Sequence, residues 1–241
     1  MRSIARFVTC FITALSLSAP SVAASLRVAP VILDLSAPTS ASTIRIWNDA
    51  QRPINVQVRV FRWTQQNGND VYETASDVAA SPPITTLQPG GENIVRIVRT
   101  TKQPVQAEES YRLVVDELPS PSRQHAGTVT LVVRHSIPVF FAEPDVKDAH
   151  PSWSVEKRQN GYMVSVRNDG DRRFKVSNLS LISDGTVVAQ HEGLVGYVLG
   201  SSTASWFVPE KGRSDISEGA VTITADSETG RFDATARISG G

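Results

Sequence analysis

Apolar and polar residues alternate with a period of two in short runs along most of the chain. That period sets successive side chains on opposite faces of a strand, not around a helix. Residues 43–47 alternate and stop at Asn48-Asp49. In 54–63, Ile54, Val56, Val58 and Val60 share one face and Asn55, Gln57, Arg59 and Phe61 the other, until Asn67-Gly68-Asn69-Asp70 ends the run. Pro82-Pro83 and Pro89-Gly90-Gly91 bracket 84–87, and the pattern resumes at 94–98, 111–118 and 128–141. These runs predict a first domain of about seven strands. No stretch of eleven or more residues carries apolar positions at helical spacing, so helices should be few and short.

Residues 142–151 are polar with a proline near each end, which reads as a linker. A second β region follows. Tyr162, Val164 and Val166 alternate with Met163, Ser165 and Arg167 up to a turn at 168–171, and further short strands are predicted over 174–182, 187–189, 197–199, 206–208, 220–224 and 232–238. The fold class is therefore all-β, with two tandem immunoglobulin-like β-sandwiches, 25–144 and 145–241, set at an angle around a cleft.

The first 24 residues break this pattern. Arg2 and Arg6 precede an apolar run over 7–17 and then small residues, the signature of a secretory signal peptide cleaved after Ala23 or Ala24. The single cysteine, Cys10, lies inside it, so the mature chain is expected to lack disulfides and thiol chemistry. No later apolar run reaches the roughly 20 residues that span a bilayer, so direct membrane insertion is not expected. The formal net charge of +0 removes the basic excess that nucleic-acid binding needs.

Candidate chemistry is sparse. His125, His135, His150 and His191 show no metal-ligand spacing, and there is no nucleophile elbow, phosphate loop or dinucleotide glycine pattern. Asp116-Glu117 is an adjacent carboxylate pair on a predicted strand, where neighbours point to opposite faces and cannot share one reacting centre. The expectation is a non-enzyme without metal or cofactor. One class left open is a structural or adhesive tandem sandwich, such as a carbohydrate-binding surface module. It would need exposed aromatics, whereas Trp47, Trp63, Trp153 and Trp206 lie in or beside strand patterns.

Three motifs carry a resemblance. Thr43-Ile44-Arg45-Ile46-Trp47-Asn48 followed by Pro53-Ile54-Asn55-Val56-Gln57-Val58 resembles the early strands of periplasmic pilus chaperones. Pro83-Ile84, Pro89-Gly90 and Ile94-Val95-Arg96-Ile97 resemble that family's proline–glycine turn and arginine strand. Tyr111-Arg112-Leu113-Val114-Val115-Asp116-Glu117-Leu118-Pro119 resembles its penultimate first-domain strand. The match extends over nearly all of the mature chain and weakens after Trp153.

The resemblance implies a periplasmic chaperone that binds pilus subunits lacking their last strand and delivers them to an outer-membrane usher. The lent strand would be 128–133, with Val129, Leu131 and Val133 on one face. Alternation alone fits core residues of the chaperone equally well. Arg96, Glu117 and Glu218 look like the family's charged network between the domains. Pro30 and Pro138 fall where the better-known branch has basic residues that grip the subunit's C-terminal carboxylate. The pattern Arg134-His135-Ser136-Ile137-Pro138-Val139-Phe140 instead resembles the archaic or alternative branch, which serves spore-coat-like and related thin pili. Antiparallel pairing of 111–118 with the lent strand puts Arg112 near Pro138, making it the candidate anchor. Arg27, Arg99 and Lys102 are weaker candidates.

Overall fold

Alternating burial along nearly every run produces strands, and the computed structural model, which describes residues 26–119, 131–212 and 219–239, contains no helix among them. The first half comprises β1 (Leu26–Ala29), β2 (Leu33–Ser36), β3 (Ala41–Asn48), β4 (Ile54–Gln66), β5 (Asn69–Thr74), β6 (Val78–Ser81), β7 (Ile84–Leu87), β8 (Glu92–Arg99), β9 (Glu109–Leu118) and β10 (Arg134–Ala142). The second half comprises β11 (Pro151–Arg158), β12 (Gly161–Asn168), β13 (Phe174–Ser183), β14 (Thr186–Val198), β15 (Ser202–Pro209), β16 (Gly219–Ser227) and β17 (Gly230–Ser239).

Two sheets pack face to face in the first half. One runs β1-β3-β8-β6; the other runs β2-β10-β9-β4-β5, with β7 also on β4. Ile44, Ile46, Val56, Val58, Val95, Ile97, Leu113, Val115, Ile137 and Val139 fill the space between them. Between β1 and β2 the chain crosses from one sheet to the other around Pro30, and β2 then joins β10 in parallel. The second half is one seven-stranded sheet, β14-β13-β16-β17-β11-β12-β15, folded over a core that includes Val164, Leu179, Leu181, Val208 and Ile223. Its two ends approach at a bridge between Ala189 and Glu210, so this half is a two-layered β-sandwich made from a single curled sheet.

Turn chemistry is repeated in the two halves. Asn48 and Asn168 each end a strand, are fully buried, and accept a hydrogen bond from the backbone two residues on (Ala50 N and Gly170 N). Each side-chain amide also donates to the carbonyl four residues on (Arg52 and Arg172) and to a neighbouring connection: Leu87 and Gln88, or Leu199. Truncation would strand these buried carbonyls, so Asn168→Ala is expected to cost roughly 2–3 kcal/mol. The check is urea unfolding, with a lower midpoint at unchanged slope.

Asn67-Gly68 and Asp184-Gly185 close the β4–β5 and β13–β14 hairpins with positive φ at both residues, the geometry of a two-residue primed turn. The Gly68 turn also reaches the other half: its carbonyl accepts from Ser205 N at 3.0 Å.

Candidate functional site

The conspicuous backbone feature is a strand with half of one edge uncovered. β9 pairs with β10 from Arg134 to Phe141, whereas β2 covers the opposite edge only from Val139 to Ala142. Among the described residues no strand pairs with the other edge of 134–138. An open edge presents unpaired N–H and C=O groups, ready to template another strand. The pairing continues one step before β10, where Glu117 N donates to Val133 O at 2.9 Å.

Side chains along this stretch change environment stepwise. Ile137, Val139 and Phe141 lie in the core and Val133 packs half-buried at its rim, while Leu131 is 85% exposed. Val132, Val31 and Ile32 are also exposed apolar residues near this edge. Val129 lies outside the described residues. Leu131 is therefore not a core residue of its own domain.

The alternate residues of the same sheet face the second half. Trp63 and Phe140 form an aromatic cluster with Tyr197 and Leu199, with Trp63 edge-on to Tyr197 at 5.7 Å between centroids. Arg112 stands opposite Pro138 in the β9–β10 register, the position expected from antiparallel pairing. Its guanidinium carbon lies 3.8 Å from the Trp63 ring centroid and 5.8 Å from that of Tyr197. Arg112 has no carboxylate partner among the described residues, and its Nε and the Trp63 Nε1 are both buried donors without an acceptor. A cation and two unsatisfied donors in one cleft are electrostatically suited to an anion.

The other candidate cations are placed differently. Arg99 is held by Glu109 through two hydrogen bonds of 2.7 and 2.8 Å, and Arg27 pairs with Asp49 at 2.9 Å. Lys102 is exposed on the loop before β9.

A charge cluster joins the two halves nearby. Arg173, at the start of β13, donates to Glu108 at 2.6 Å and to Asp34 at 2.5 Å, and its Nε lies 3.4 Å from Glu228. The Arg173 side chain is 8% exposed and that of Glu108 0%. The guanidinium carbon also sits 3.8 Å above Phe140. Burial works against the arginine's charge, but Glu108, Asp34 and Glu228 outweigh it and raise its pKa further. On another flank, the Gln65 amide donates to Tyr197 O at 2.7 Å and accepts from Leu199 N at 3.0 Å.

Residues 25–146 match the family described as pili and flagellar-assembly chaperone, PapD N-terminal domain. The chain belongs to this family. Among solved structures it resembles a chain of the chaperone–tip adhesion subunit complex CsuC–CsuE, from the archaic chaperone–usher Csu pili of Acinetobacter baumannii. That chain is 25% identical, with TM-score 0.65 over 90% of this chain and 100% of that one. A chain of the Salmonella enterica SafA pilin–SafB chaperone complex is 18% identical, with TM-score 0.59 over 89% and 97%. The Escherichia coli chaperone DraB is 21% identical, with TM-score 0.58 over 87% and 95%. No curated protein matches the chain in sequence.

Among the described residues the charged contact between the domains of this chaperone is made by Arg173 with Glu108 and Asp34, and not by Arg96 with Glu117. Arg96 is exposed on the outer face of β8, opposite Thr43 and Ser81, without an ion pair among the described residues. Glu117 is buried in the other sheet, with Arg52 at 3.9 Å. The two are not brought together. β9 starts beside the second domain, and Glu117 lies eight residues further along, about 26 Å at strand rise. Glu218 and the predicted signal peptide lie outside the described residues. Asp116 and Glu117 do face opposite ways: Asp116 binds Arg59 and Arg134 on the outer face. Burial pushes the Asp116 carboxyl up, but these two arginines hold it below the usual range.

Proposed function

We propose that this chaperone holds pilus subunits in the periplasm by lending them the open edge of β10 and its preceding residues, and hands them to an outer-membrane usher. A subunit lacking its last strand would gain backbone hydrogen bonds along 131–137 and apolar cover from Val129, Leu131 and Val133. Its C-terminal carboxylate would end at Arg112. A segment that ends there while covering the edge from Leu131 to Ile137 must run parallel to β10. CsuC–CsuE and SafA–SafB are complexes of a chaperone with a tip adhesion subunit or pilin, which supports this partner class.

The observation that carries the reading is Arg112, a cation stacked on Trp63 in the cleft that makes no ion pair with a carboxylate among the described residues. A pairing of this type is worth about 2–5 kcal/mol when one partner is removed. Arg112→Ala is therefore expected to lower recovery of a co-expressed cognate subunit from the periplasm at least tenfold. The chaperone's own melting should fall only by the loss of the stack on Trp63, roughly 1–2 kcal/mol, since no ion pair among the described residues is lost. Arg112→Lys, which keeps the charge but not the planar fork, should recover part of the loss. Undiminished recovery with Arg112→Ala would sink the anchor.

A further inference from the structure

A cavity of about 330 Å³ opens between the domains directly beside Arg112. Its walls come from the Gly68-Asn69-Asp70 end of the β4–β5 hairpin, Arg112 of β9, Leu194 to Tyr197 of β14, and Ala204 to Trp206 of β15. We infer that this cavity receives the side chain of the subunit's C-terminal residue, and that this residue is large and apolar. The inference rests on the reading of Arg112 as the carboxylate anchor.

The carboxylate and side chain of a terminal residue hang from one α-carbon. A site that binds the first must hold the second within a few ångströms, and Arg112 itself lines the cavity. Leu194 is 56% exposed here, beside Val195, Tyr197 and Trp206, so the wall offers apolar surface that the chaperone leaves uncovered. The wall is also packed flat: a Cβ on Gly196 would lie 2.8 Å from Trp206 Nε1. Charge narrows the occupant further. Arg112 disfavours a basic side chain and Asp70 an acidic one, leaving a neutral group, and Leu194, Val195, Tyr197 and Trp206 supply the apolar contact that favours a large apolar one. The volume is at the lower end of ligand cavities, which fits one side chain better than a longer ligand.

The test uses three small probes against the purified protein, followed by NMR: N-acetyl-L-phenylalanine, its C-terminal amide, and N-acetylglycine. The expected result is that acetylphenylalanine binds about tenfold more tightly than acetylglycine, the share of one buried apolar side chain. It should also bind more tightly than its amide and shift the Leu194 methyl and Trp206 indole resonances. Leu194→Ser, at an exposed position, should erase the preference for phenylalanine over glycine and keep that for acid over amide. Arg112→Ala should do the reverse. Equal binding of the phenylalanine and glycine acids, with the acid still preferred over the amide, overturns the cavity and leaves the anchor standing. Equal binding of acid and amide overturns the anchor instead. No binding at millimolar probe overturns the cavity, and subunit recovery with Arg112→Ala then decides the anchor by itself.

Discussion

Arg173→Ala is expected to destabilise the protein by roughly 3–5 kcal/mol and to uncouple its two domains. The arginine is buried, and its truncation leaves the Glu108 carboxylate, with no exposed side-chain surface, lacking the cation that compensates its desolvation. Breaking a buried pair from one side costs about that much, whereas removing both charges costs far less. The variant also loses the stack on Phe140 and the bond to Asp34. For a chain of this size the shift corresponds to a fall in melting temperature on the order of 10 °C. Calorimetry of Arg173→Ala should show one transition resolving into two, as the first and second domains melt apart. The double variant Arg173→Met with Glu108→Gln should recover more than half of the lost stability. A single transition within about 1 kcal/mol of the parent would refute a role for this pair in coupling the domains.

That coupling bears on the cleft because both domains build it. Arg112 comes from the first domain; Tyr197 and Leu194 come from the second. Arg173 holds one flank, and the Gln65 amide and the Gly68 turn hold another. Loosening either flank changes the separation between the anchor and the wall opposite it.

Which parts of this arrangement the sequence discloses follows from whether each depends on local or distant pairing. In the first domain β1, β2, β5 and β6, four to six residues each, are too short to show a period of their own, so ten strands stand where about seven are expected. The longer strands, β3, β4, β8, β9 and β10, are legible because their cores alternate cleanly, as in Ile54, Val56, Val58 and Val60. Arg112 is legible for a related reason: antiparallel pairing with a residue already placed fixes its neighbour, and Pro138 was already placed. β11 escapes notice because it has little apolar signal beyond Trp153 and Val155 before Lys157 and Arg158. β14 reads as two short strands because His191-Glu192-Gly193 interrupts its alternation. In the fold that interruption is a bulge, with Gly193 at φ 75° and its N–H bonded to the Asn178 side chain, and the strand continues through it. The interdomain charges are the least legible. Arg173 meets Glu108 from 65 residues away and Asp34 from 139, so no local spacing points to either. The arginine strand is visible in the sequence, but its arginine turns to solvent.

Leu131→Asp is expected to abolish subunit retention while leaving the chaperone folded. Leu131 is almost fully exposed, so the substitution removes no contact that holds the first domain together. In a lent strand the same side chain would be buried in the subunit, a transfer worth about 1.5–3 kcal/mol. A carboxylate in its place would add the cost of burying an unpaired charge. Together these predict a loss of affinity of at least a hundredfold. Val133→Asp is the informative companion, because Val133 packs half-buried at the edge of the chaperone's own core. That variant should lower the melting temperature of the free chaperone as well as subunit retention. The measurement is paired: circular dichroism melts of each free variant, and the amount of subunit that co-purifies from the periplasm. An unchanged melt with lost subunit for Leu131→Asp, against a depressed melt for Val133→Asp, locates the boundary between the chaperone's own core and the strand it lends. Retention of subunit by Leu131→Asp, or collapse of that variant on its own, would place the lent strand elsewhere.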